Sequence, residues 1–223
     1  MIRFDSARCQ ALIFDMDGVL LDSERIAYEI GRQICEDMGL PWRHEVAMQM
    51  IGRNSREFEA LLKGAYGRDF PVAEHQQAFA ERYEAVIAAG AIPLKPGVEA
   101  LFARLDEIGL RRVVATSTRR SRALPKLEAT GLLARLDGVV AGDEVLRGKP
   151  APDIFLAAAG LLGREPGDCT VVEDSNPGVR GALAAGTQVV MVPDMLMPAA
   201  DVAAARISVL PSLDAFARLL DGP

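Results

Sequence analysis

The sequence predicts an α/β fold: a parallel sheet with helices on both faces, interrupted after its first strand by a helical insertion. Two observations carry this reading. After Pro96, short apolar runs that end in polar residues alternate with amphipathic helical stretches. Between Ser23 and about Ala89, by contrast, helical spacing appears with no strand pattern to interrupt it.

The elements follow in order. Gln10 to Phe14 reads as a buried strand, and Gly18 breaks it. Ile26, Ile30, Ile34 and Met38 recur every fourth residue, and Gly39-Leu40-Pro41 stops that helix. Ser55 to Lys63 carries Phe58, Leu61 and Leu62 on one face, and Val72 to Ala89 carries Phe79, Tyr83, Val86 and Ile87. Leu21–Ser23 and Ile92–Pro96 are the expected hinges of the insertion. Val98, Leu101, Phe102, Leu105 and Ile108 then mark a helix, and Arg111 to Ala115 a strand. A helix from about Ser121 to Ala129, a strand at Val139–Ala141 and a helix at Asp153–Leu162 come next. Thr170–Val172 is a strand, Gly178–Ala185 a helix and Gln188–Val192 a strand; Leu213, Phe216, Leu219 and Leu220 mark a last helix. The expected division is residues 1–21 with 96–223 as the sheet domain and 22–95 as the insertion.

Composition narrows the function. Half of the 223 residues are hydrophobic, ample for a packed core, while aromatics are only 5%, so aliphatic side chains must fill it. A net charge of −6 argues against a nucleic-acid surface or an anionic membrane partner. Cys9, Cys35 and Cys169 are scattered and odd in number, which reads as free thiols in a reducing compartment. The N-terminal stretch carries Asp5 and no long apolar run, so no secretory signal is expected and the cytosol is the expected location. No apolar stretch is long enough to span a bilayer.

The chemistry concentrates where predicted strands end. Asp15 and Asp17 close the first strand in Phe14-Asp15-Met16-Asp17-Gly18. If the chain stays extended, residues two apart point the same way, so two carboxylates share one small space. Like charges that close need a cation or a shared proton, and Mg²⁺ with a phosphate group suits such a site. Thr116 follows Val113-Val114-Ala115, Lys149 lies in Gly148-Lys149-Pro150, and Glu173-Asp174 follow Thr170-Val171-Val172. Each has an ordinary alternative: a turn aspartate, a helix cap, an exposed lysine. Those alternatives do not explain why all of them fall in series along one rim of one sheet.

The order and wording of these segments resemble the haloacid dehalogenase superfamily. The motifs are Asp15-Met16-Asp17-Gly18-Val19-Leu20-Leu21-Asp22-Ser23-Glu24, Thr116-Ser117, Gly142-Asp143-Glu144-Val145 through Gly148-Lys149-Pro150-Ala151-Pro152-Asp153, and Val172-Glu173-Asp174-Ser175-Asn176-Pro177-Gly178. The likeness runs from about Ala11 to Pro193, and the insertion resembles the subgroup with a helical cap, which includes sugar-phosphate phosphatases, phosphoglycolate phosphatases and β-phosphoglucomutase. The resemblance implies a Rossmann-like core and a Mg²⁺-dependent phosphatase. In that scheme Asp15 is the nucleophile that forms an aspartyl-phosphate, and Asp17 is the acid and base. Thr116 and Lys149 hold phosphoryl oxygens, with backbone N–H groups near Met16, Asp17 and Ser117 assisting. Asp15, the backbone carbonyl of Asp17, and Asp174 hold the metal, with Glu173 beside it or acting through water. In the cap, Arg53 and Arg56 of Gly52-Arg53-Asn54-Ser55-Arg56 resemble a specificity loop, and Arg119 and Arg120 are further candidates for substrate contact.

Dehalogenases of the family need neither a metal nor an acid two residues past the nucleophile, so Asp17, Glu173 and Asp174 point to phosphoryl chemistry. The alternative is a phosphomutase, for which the family places a histidine twelve positions past the nucleophile. Ala27 stands there, and the two histidines, His44 and His75, lie elsewhere. The expectation is therefore a phosphatase for a small phosphorylated metabolite, a monomer by default with a dimer as the alternative. A non-catalytic binding module on the same fold is the remaining reading.

Overall fold

The computed structural model describes residues 4–51, 55–205 and 207–220, and it leaves the side chains of residues 55–57 undescribed. The chain divides into two compact units, residues 1–22 with 93–223 and residues 23–92.

The first unit is built on a six-stranded, wholly parallel sheet of β1 (Ala11–Phe14), β2 (Arg111–Ala115), β3 (Gly138–Val140), β4 (Cys169–Glu173), β5 (Gln188–Met191) and β6 (Ser208–Val209). Their spatial order is β3-β2-β1-β4-β5-β6. Every residue of β1 and β4 is buried, as expected of strands covered on both faces. This explains why they read as continuous apolar runs rather than alternating ones. Helices α5 (Val98–Ile108), α6 (Arg120–Ala129), α7 (Asp153–Leu162), α8 (Asn176–Ala185), α9 (Ala200–Ala204) and α10 (Leu213–Leu220) join and flank the strands. One core layer packs Ile154, Phe155, Ala158 and Leu162 of α7 and Val179 and Ala182 of α8 against Ile13, Val113, Val171 and Val189 of the sheet.

The second unit holds α1 (Ser23–Asp37), α2 (His44–Met50), α3 (Ser55–Tyr66) and α4 (Val72–Ala88). Leu62, Phe70 and Val72 are buried at one of its contact points, with Met38, Leu40, Met50, Phe58 and Tyr66 packed round them.

The chain segments that flank the second unit lie side by side in the first. Asp22 N–H donates to the Pro93 carbonyl at 2.9 Å, Lys95 N–H donates to the Leu20 carbonyl at 2.9 Å, and Leu21 bridges Leu94 antiparallel. Lys95 Nζ also pairs with Asp194 at 2.6 Å and reaches Asp22 at 3.5 Å.

Three elements go beyond the sequence expectation. Helix α2 has seven residues, fewer than two helical periods, and no side-chain N-cap bond, so it offers neither a clear amphipathic pattern nor a start signal. Helix α9 and strand β6, with five and two residues, are too short to show periodicity. Among the described residues no helix is long and apolar enough to cross a membrane.

Candidate active site

In an open α/β sheet, ligands bind beyond the carboxyl ends of the strands where the chain's progression reverses. Here the chain moves from β1 outward to β2 and β3, then returns to the other side of β1 as β4. The reversal therefore falls between β1 and β4. Phe14 is level with Val114 of β2 and with Val172 of β4, so Asp15, Ala115 and Glu173 stand at one height on three adjacent strands. Asp15 N–H donates to the Val172 carbonyl at 2.9 Å, which ties the start of the acidic loop to the sheet.

Lys149 enters from the segment before α7 through a cis peptide with Pro150. Its ammonium donates to Asp15 Oδ1, to Glu173 Oε1 at 2.6 Å and to the Ala115 carbonyl at 3.1 Å. All three side chains are at least nine-tenths buried. Burial pushes the Asp15 carboxyl up, and the Glu173 and Asp17 charges add to this against the pull of Lys149, to about 8. Burial alone pulls the Lys149 ammonium down, but Asp15 and Glu173 outweigh it and the net direction is upward. Lys149 is thus held charged between two carboxylates, and its charge partly offsets the upward push of burial on Asp15.

Glu173 is fully buried, and its second oxygen accepts from Ser175 N–H at 2.7 Å and from Ser175 Oγ–H at 2.8 Å. Ser175 Oγ in turn caps α8 by accepting from Gly178 N–H at 3.1 Å. Asp174 is buried beside Gly18, whose φ is +87°. A Cβ on Gly18 would sit 2.3 Å from Asp174 Oδ2, so only glycine leaves room for that carboxylate.

One oxygen each from Asp15, Glu173 and Asp174 lies within 4.8 Å of the others. Hard carboxylate oxygens in that number suit Mg²⁺. The absence of a Cβ on Gly18 leaves room for the Asp174 carboxylate at the cluster, so the residues present fit such an ion.

Asp17 is organised separately. Its Oδ1 accepts from Lys126 Nζ at 2.8 Å, and its Oδ2 accepts from Thr118 Oγ1 at 2.7 Å. Its side chain therefore faces α6 and the end of β2; the share in metal binding expected of it rests on its backbone carbonyl. Thr116 is buried, and its Oγ1 accepts from Thr118 N–H at 3.1 Å, while Ser117 is exposed. Arg119 is exposed at the start of α6, and Arg120 is engaged with Glu144 at 3.0 Å. Arg53 and the Arg56 side chain lie outside the described residues.

The sequence reading gives no role to Lys126 or Thr118, and weighs Ser175 only as the helix cap that it also proves to be. A signal for Lys126 existed: it lies three residues after Ala123 and next to Leu127, on the buried face of α6, where an unpaired lysine does not belong. Burial pushes the Cys9 thiol up and the Cys169 thiol up to about 11, away from thiolate chemistry. His44 Nδ1 pairs with the Tyr28 hydroxyl at 2.8 Å, and His75 is buried between the Phe58 and Phe70 rings.

Comparison with known proteins gives the family and agrees with the fold. The chain is 35% identical over 195 residues to the protein CbbY of Rhodobacter capsulatus, which covers 82% of this chain and 85% of that protein. It is 31% identical over 179 residues to the phosphorylated carbohydrates phosphatase of Thermotoga maritima, covering 80% and 82%. The crystal structure of CbbY from Rhodobacter sphaeroides in complex with phosphate superposes with a TM-score of 0.75 at 29% identity, covering 95% and 96%. A family model described as haloacid dehalogenase-like hydrolase matches residues 9–186, a span holding all of the strand-end carboxylates and both buried lysines, and on that match the chain belongs to this family of hydrolases.

Proposed function

We propose that the protein is a Mg²⁺-dependent phosphatase that works through an aspartyl-phosphate on Asp15. The coarser statement is plain: it is a phosphoric monoester hydrolase of its family, acting on phosphorylated metabolites, as its relatives are. The observation that carries the finer one is the buried Asp15–Lys149–Glu173 chain at the sheet's reversal point, with Asp174 beside it.

Asp15 attacks phosphorus, and the bond to the ester oxygen breaks with its electrons leaving on that oxygen. Asp17 gives the leaving oxygen a proton, then removes one from water as the water attacks the acyl-phosphate. Inorganic phosphate departs and Asp15 is restored. Two easier displacements replace one hard one. Lys149 offsets negative charge at the nucleophile and at the phosphoryl oxygens, and the Thr116 hydroxyl lies at the same rim. Asp15, Asp174 and the Asp17 carbonyl would hold the ion, with Glu173, both of whose oxygens already accept hydrogen bonds, acting indirectly. Bound Mg²⁺ would supply positive charge that keeps Asp15 ionised and draws phosphoryl charge. We also assign the sheet unit to chemistry and the helical unit, as a cap, to substrate choice.

Against the phosphomutase alternative, Ala27 stands where its chemistry calls on a histidine, and both histidines are engaged elsewhere. The test is phosphate release from a panel of sugar, polyol and nucleoside phosphates and phosphoglycolate, with Mg²⁺ and with EDTA. Magnesium-dependent release that disappears in Asp15→Asn is expected. Release that survives Asp15→Asn overturns the nucleophile assignment, and phosphate transfer between sugar positions without release overturns hydrolysis.

A further inference from the structure

The two carboxylates of the first loop have separate cationic partners. Lys149 serves Asp15, and Lys126, from the last turn of α6, serves Asp17. Lys126 is 4% exposed, and ion pairs so far removed from water contribute little net stability. Its presence there calls for another explanation. Both oxygens of Asp17 are held, one by Lys126 at 2.8 Å and one by Thr118 Oγ1 at 2.7 Å, so the carboxylate cannot turn about its last bond without losing a contact. Thr118 is itself fixed, since its N–H donates to Thr116 Oγ1 at the end of β2. Asp17 keeps 17% exposure, more than the 10% of Asp15, so the anchored carboxylate still has an open side.

We infer that Lys126 and Thr118 are positioning residues that hold the Asp17 carboxylate in the orientation from which it exchanges a proton with the ester oxygen. This rests on the phosphatase reading above. Lys126 and Thr118 touch neither substrate nor metal in this scheme; they act through Asp17. A misplacement of about 1 Å in a group that transfers a proton lowers turnover by roughly 10²-fold. The loss should depend on the leaving group. A sugar or polyol oxygen needs the proton in the transition state, whereas p-nitrophenolate leaves without it.

The experiment compares Lys126→Met and Thr118→Val with the unaltered protein on an alkyl phosphate substrate and on p-nitrophenyl phosphate, each also in an Asp17→Asn background. The expected result is a fall in kcat of about 10-fold to 100-fold on the alkyl phosphate with KM little changed. On p-nitrophenyl phosphate the fall should stay within about 3-fold. Thr118→Ser should restore turnover, and neither substitution should lower it further once Asp17 is Asn. Equal losses on both substrates, or losses that persist in the Asp17→Asn background, overturn the positioning role. If Lys126→Met does not fold, Thr118→Val and its Ser rescue carry the same comparison. Asp15→Asn, measured in parallel, keeps the two failures apart: activity in that variant sinks the aspartyl-phosphate route on which the proposal rests, whereas an inactive Asp15→Asn with equal losses sinks only the positioning.

Discussion

Replacing Gly18 with alanine separates backbone conformation from site geometry. Gly18 has φ +87°, a conformation that costs an L-residue roughly 1–2 kcal/mol. At about 2–4 °C per kcal/mol for a chain of this size, the melting temperature should fall by a few degrees. The new Cβ would also lie 2.3 Å from Asp174 Oδ2 and 2.8 Å from its Cγ. Ordinary contact is about 3.5 Å, so the carboxylate must retreat by about 1 Å. Displacement of that size in a group holding a reaction centre lowers turnover by roughly 10²-fold. The proper control is Gly39→Ala. Gly39 has φ +68° and nothing within 4 Å of the built Cβ, so it incurs the backbone penalty without the collision. The assay is phosphate release titrated with Mg²⁺, alongside thermal denaturation of both variants. Gly18→Ala should lose activity most at low Mg²⁺, and Gly39→Ala should lose stability alone. Unchanged turnover and unchanged Mg²⁺ response in Gly18→Ala would refute the argument that this glycine makes room for a metal-binding carboxylate.

Lys149→Met strands Asp15 and Glu173 without their shared cation, a loss of about 3–5 kcal/mol for a buried network. Chemical denaturation in EDTA should register it, and an unchanged midpoint would refute it. Ser175→Ala removes the α8 cap and one partner of Glu173, so stability should fall by about 1 kcal/mol or more, and no change in the denaturation midpoint would refute it. Burial holds the His75 imidazole below its ordinary value. Its contribution to stability is present above about pH 6.5 and is lost as pH falls toward the lowered native value, because the unfolded chain takes up a proton that the native one refuses. The slope is at most about 1.4 kcal/mol per pH unit. Melting followed between ~pH 5 and ~pH 7.5 should show it, and His75→Phe should flatten it; an equally steep His75→Phe profile would refute the assignment.

The parallel sheet was legible because β1, β2 and β4 carry apolar runs that end at residues with chemistry. Asp15, Thr116 and Asp174 follow strands directly and Glu173 ends one, so topology alone brings them together. Lys149 was legible through its motif, although nothing in periodicity says that its ammonium lies between two carboxylates. Lys126 stayed hidden because a lysine in a helix ordinarily reads as solvated, and its partner is more than a hundred residues away. Thr118 was obscured by Thr116, the hydroxyl that ends the strand. Helix α2 and strand β6 were too short for pattern reasoning, because fewer than two periods cannot be told from chance.

The paired connectors at Leu21 and Leu94 have a consequence for how such chains diversify. Residues 23–92 leave the sheet unit and return to it at hydrogen-bonding neighbours. The ends of the excursion are held by the sheet unit's own backbone, whatever lies between them. Closing a loop grows only logarithmically more costly with length, about 0.6 kcal/mol for each doubling. The excursion can therefore be lengthened, shortened or exchanged at little expense to the sheet, while the Asp15 rim stays in place. If the helical unit chooses the substrate as proposed, the doorway at Leu21 and Leu94 makes that preference a separable trait, one that can be transplanted without rebuilding the chemistry in the sheet unit.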